Sequence, residues 1–113
     1  MHIRFAVIAM GIATAGVLTG CSSEAEPLPQ ALDVPLDGYR FPDDLRVTTG
    51  GELTFTSSDA EPHQIEIGAA GLRTEAFGAD ERAGLTAPDD AGTYDLVCLL
   101  HPSMTGALDV VEP

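Results

Sequence analysis

Hydrophobic positions along this 113-residue chain fall into three regimes. From Phe5 to about Val17 they are almost continuous (FAVIAMGIATAGV). From Ser22 to about Leu32 (SSEAEPLPQAL) they are sparse and show no period. Beyond Asp33 they alternate. Leu53 and Phe55 alternate with Glu52, Thr54 and Thr56, the two-residue period of a half-buried strand. HQIEIG places His63, Ile65 and Ile67 on one strand face, and TYDLVC does the same for Tyr94, Leu96 and Cys98. ALDVVE places Leu108 and Val110 together. Gly50-Gly51, Asp89-Asp90 and Ala91-Gly92 punctuate these runs as turns. The least patterned segment, GAAGLRTEAFGADERAGLTAP, predicts a strand around Leu72 to Phe77 and a short helical turn around Asp80 to Ala83. Short strands at regular spacing predict one all-β domain over residues 33–113, folded as a Greek-key β-sandwich.

The first regime has a short basic head with Arg4, an apolar run, and small residues ahead of a cysteine. That is the pattern of a secretory signal, and it is too short for a membrane span. Leu18-Thr19-Gly20-Cys21 resembles the lipobox of bacterial lipoproteins. The resemblance implies that residues 1–20 are removed and that Cys21 is lipidated. Residues 21–32 would then be a flexible tether. The protein would be exported and lipid-anchored to the outer face of the cytoplasmic membrane, or to a periplasmic membrane surface. Cys98 would be the one thiol remaining, so no disulfide could form within the domain. An unpaired thiol outside the cytoplasm is a liability unless something occupies its sulfur.

Charge narrows the partners. The formal net charge is −13, from 18 acidic residues against 5 basic ones. Such a surface repels nucleic acid and argues against a DNA or RNA role. It favours a protein partner with a basic docking patch, because charge of one sign steers encounter. A general acidic bias of the source organism, such as salt tolerance, accounts for the charge equally well.

The candidate chemistry lies in GTYDLVCLLHPSMTGALDV, where Cys98, His101 and Met104 recur at intervals of three. Cys98 shares a face with Leu96, so its sulfur points inward at the end of its strand. His101 and Met104 follow in a loop before the next strand near Ala107. His63 opens another strand, inward-facing with Ile65 and Ile67. Two strand ends and one loop can thus bring two imidazoles, a thiolate and a thioether together. Two His and one Cys with a weak axial Met is the ligand set of blue-copper electron-transfer sites. Thiolate and thioether suit Cu(I), thiolate donates strongly to Cu(II), and imidazole serves both. Zinc is the inorganic rival, but a structural zinc site recruits more Cys or His than this chain has left. Taken singly, each residue reads as ordinary: Cys98 as a small core hydrophobe, Met104 as a gap filler, Tyr94 as a core or corner residue.

CLLHPSM resembles the ligand loop of the cupredoxins, in the short-loop form of amicyanin and bacterial plastocyanin-like proteins. VTTGGELTFTSSDAEPHQI resembles the strand, loop and first-ligand region of that family, and AGTYDLVC its penultimate strand. The resemblance implies one mononuclear copper held by His63, Cys98, His101 and Met104. Leu100 stands where the family often has Pro, and Gln64 where it often has an Asn that braces the ligand loop.

The function implied is one-electron transfer between redox proteins. Leu99, Leu100, Pro102 and Pro62 would form an apolar collar for docking around His101. A copper storage or delivery module is the alternative, although such proteins commonly use several Met and His without a thiolate. A metal-free interaction domain would not need the full ligand set. No catalytic triad, acid–base carboxylate pair or phosphate-binding Gly loop is visible in the sequence, so no enzymatic activity is expected.

Overall fold

The computed structural model describes residues 29–113. The expected signal, the lipidation site Cys21 and most of the expected tether lie outside the described residues. Among the described residues there are eight strands: β1 (Ala31–Leu36), β2 (Leu45–Thr48), β3 (Glu52–Ser57), β4 (Ile65–Ile67), β5 (Leu72–Arg73), β6 (Arg82–Thr86), β7 (Gly92–Cys98) and β8 (His101–Val111). They form a three-stranded sheet in the order β1-β3-β6 and a five-stranded sheet in the order β2-β8-β7-β4-β5. β1 runs parallel to β3, and β2 parallel to β8; the other pairs are antiparallel. The architecture is the β-sandwich that the alternation predicts.

The alternation also dictates the core. Val34, Leu36, Leu53 and Phe55 from the smaller sheet are buried, as are Val47, Ile65, Ile67, Leu96, Leu108 and Val110 from the larger. Each contributes about 1.5–3 kcal/mol by leaving water. Tyr94 closes a corner: its hydroxyl donates to the Asp90 carbonyl at 2.7 Å, holding the turn that enters β7.

Four local features differ from the sequence reading. The strand expected around Leu72 to Phe77 shortens to β5, with Phe77 in an isolated bridge to His63. β1 begins at Ala31, inside the stretch expected as tether, because its backbone has a partner in β3. Residues 80–83 form no helical turn; β6 starts at Arg82 and pairs with β3. Its inward positions, Ala83 and Leu85, are only half-buried, and the small residues around them weaken the pattern. Finally, β8 begins at His101 rather than near Ala107. Cys98 pairs with His101 and Val97 with Thr105, so residues 102–104 bulge out of the ladder.

Candidate metal centre

Cys98 closes β7 and His101 opens β8, with Leu99 and Leu100 turning between them. Strand alternation puts the Cys98 side chain in the core, where it is fully buried. His63 stands two residues before β4, in an isolated bridge with Phe77 whose two backbone hydrogen bonds are both 2.9 Å long. β4 pairs with β7 so that Ile65 lies opposite Cys98, which carries His63 just past the end of β7. The Leu99 amide donates to the Gln64 carbonyl at 2.7 Å, tying the turn to the chain beside His63. The Gln64 side chain points elsewhere, donating to the Thr74 carbonyl at 3.0 Å. Main chain therefore ties this loop down where the family often uses an Asn side chain.

Three donors converge. Cys98 Sγ lies 3.6 Å from His63 Nδ1 and 3.7 Å from His101 Nδ1. All three donor atoms fall within 4.8 Å of one another. One ion bonded at about 2.0 Å to nitrogen and about 2.3 Å to sulfur, at trigonal angles, needs a separation of about 3.7 Å. His63 and Cys98 are buried, and His101 is partly exposed. Met104, the fourth sequence candidate, is buried within the bulge that follows His101.

Electrostatics favour a thiolate. Burial by itself pushes the Cys98 thiol up, but the Gln64 and Leu100 amides and both imidazoles outweigh it and hold the thiol at about 7. His101 is raised by its contacts with Cys98 and with Glu61, whose Oε1 is 3.1 Å from His101 Nε2. Asp59 is subject to burial, which raises it. Hydrogen bonds from the Tyr39 amide, the His63 ring and the Gly38 amide prevail and lower it.

Tyr39 and Asp59 escaped the sequence reading. The Tyr39 ring meets the His63 ring edge-on at 5.6 Å between centroids and the His101 ring at 5.1 Å. Asp59 Oδ2 lies 3.0 Å from His63 Nε2. The one signal for Asp59 is an acid four residues before a candidate ligand, which many surface loops share.

Known proteins place this arrangement. A solved structure of a reduced amicyanin variant is 30% identical, covering 71% of this chain and 81% of its own, with a TM-score of 0.62. This chain belongs to the cupredoxin family. Amicyanin-alpha of Methylorubrum extorquens is similar to this cupredoxin at 28% identity over 113 residues, 95% of this chain and 94% of that one. Amicyanin of Paracoccus denitrificans is 33% identical over 86 residues, which cover 72% of this chain and 63% of that relative. The reduced Cu(I) form of another amicyanin variant at pH 4 superposes with a TM-score of 0.63 at 28% identity, covering 71% and 81%. No family model matches the sequence. As a cupredoxin, the chain is a copper-binding electron-transfer protein. A low-lying buried thiol facing two imidazole nitrogens is the donor chemistry that copper requires, and His63, Cys98 and His101 are positioned to hold it.

Proposed function

We propose that this protein carries single electrons between exported redox partners, with one copper held by His63, Cys98 and His101 and with Met104 as a weak axial ligand. The observation that carries the reading is the convergence of Cys98 Sγ with two imidazole nitrogens at 3.6 and 3.7 Å in a mostly buried pocket. Bound copper supplies the one-electron couple. The chain's residues do the rest. Cys98, its thiol held at about 7, ionises near neutral pH, and buried His63 keeps water from one side of it. The His101 side chain is 24% exposed and provides the route between the site and a partner.

Around that edge Leu100 is 45% exposed, and Pro62 and Pro102 are exposed as well. This apolar collar suits the small interfaces of transient redox encounters. The acidic surface supports a partner with a basic docking patch. Leu18-Thr19-Gly20-Cys21 supports anchoring by lipid on Cys21, at the outer face of the cytoplasmic membrane or a periplasmic membrane surface.

Optical and EPR spectra with one equivalent of Cu(II) test the site. A blue or green sulfur-to-copper band is expected, and Cys98→Ser should abolish it. A colourless one-to-one complex, or colour that survives in Cys98→Ser, would refute the assignment. For the anchor, native protein should fractionate with membranes and carry lipid mass on Cys21. Cys21→Ala should release it, and a soluble, unlipidated native form would rule out anchoring.

A further inference from the structure

The loop from β3 to β4 carries two carboxylates, and each reaches the remote nitrogen of a different copper-site histidine. Asp59 Oδ2 lies 3.0 Å from His63 Nε2, and Glu61 Oε1 lies 3.1 Å from His101 Nε2. The distances match, but the surroundings do not. The Asp59 side chain is 6% exposed and the Glu61 side chain 66%. Solvent screens the second charge and hardly touches the first.

Asp59 is built into the fold. Its Oδ1 accepts the Gly38 amide at 2.8 Å, and its Oδ2 accepts the Tyr39 amide at 2.9 Å. Its own amide donates to Ser57 Oγ at 2.9 Å. An ionised carboxylate only accepts hydrogen bonds. In its neutral form His63 therefore carries its single proton on Nε2, which leaves the Nδ1 lone pair free for a metal beside Cys98. The same carboxylate pins Tyr39, whose φ of 58° is left-handed, where its ring covers both imidazoles.

We propose that Asp59 is a positioning residue that acts through His63: it locks the imidazole tautomer that presents Nδ1 to the metal, and its buried negative charge favours the oxidised form. The inference rests on the copper reading above. Asp59 gains and loses neither proton nor electron. It biases the one-electron exchange between Cu(II) and Cu(I) by stabilising the higher positive charge, as carboxylate partners of metal-bound histidines do.

Two measurements test this. The first uses the wild-type apoprotein: 15N NMR above the imidazole titration range should show His63 as the Nε2–H tautomer. Finding Nδ1–H there would overturn the proposal, whether or not the protein binds copper. This result does not depend on any variant folding. The second compares copper-loaded Asp59→Asn and Glu61→Gln with wild type. Asp59→Asn should shift the redox equilibrium about tenfold towards Cu(I), about 59 mV upward for one electron. It should also weaken Cu(II) binding about 10-fold or more. Glu61→Gln should move the potential less. Asp59→Glu, which keeps the charge, should restore part of the shift. A potential that moves no further in Asp59→Asn than in Glu61→Gln would also overturn the proposal. Loss of the charge-transfer band in wild type would instead remove the copper reading while leaving the tautomer result standing.

Discussion

At the residue scale the site depends on few side chains, and each acts through its surroundings. The Cys98 thiol is held at about 7 because two amides and two imidazoles offset the effect of burial. Met104 is the residue whose part is most open to test. It is 4% exposed and sits in the β8 bulge, three residues past His101. As a weak axial ligand it should tune rather than hold. Met104→Leu should keep copper and raise the reduction potential, and Met104→Gln should lower it. Voltammetry of both variants decides the matter; unchanged potentials would mean that Met104 does not touch the metal.

The element scale depends on how the chain passes from one sheet to the other. Gly51 lies between β2, in the larger sheet, and β3, in the smaller. Its amide donates to the Thr48 carbonyl at 2.9 Å, and its carbonyl accepts the Ala87 amide at 2.7 Å. A Cβ here would come within 2.7 Å of a Val47 methyl, 2.9 Å of the Gln30 carbonyl oxygen and 3.0 Å of that of Thr48. Two of these neighbours are backbone and cannot swing aside. Gly51→Ala should therefore cost about 1–3 kcal/mol. The denaturant midpoint should fall with its slope unchanged. The copper spectrum should stay as in wild type, because Gly51 precedes β3 while the loop bearing Asp59 and His63 follows it.

At the scale of the whole molecule, the proposed function divides recognition between charge and the apolar collar. The net charge of −13 should draw a basic partner from a distance, and the association rate should fall as salt rises. Leu100, 45% exposed beside His101, should act at contact. Leu100→Lys should slow electron self-exchange by about fivefold, the loss of about 1 kcal/mol expected of an interface anchor. Copper content should hold. Relaxation measurements on mixtures of oxidised and reduced protein give the rate. An unchanged rate would place the electron route away from this collar. Rapid loss of copper to a Cu(I) chelator, together with sluggish exchange, would favour copper delivery over electron transfer.

Much of this protein was legible along the chain, because period-two alternation is local. Leu53 and Phe55 declare the inward face of β3, and Leu96 and Cys98 that of β7, without reference to any other strand. Cys98, His101 and Met104 stand out for the same reason: they lie within a few residues of one another, and the chain has few such donors to spare. What tertiary structure alone decided was pairing across distance. No local pattern says that β1 pairs with β3, that Arg82 starts a strand, or that the strand after Cys98 resumes at once around a bulge. Nor could it reveal that Asp59 would be buried against His63, or that Tyr39 would cover two imidazoles. An acid in a polar loop looks like any solvated acid until folding removes the water around it. The effect proposed for Asp59 comes from that desolvation, and it depends on which distant backbone amides the carboxylate meets.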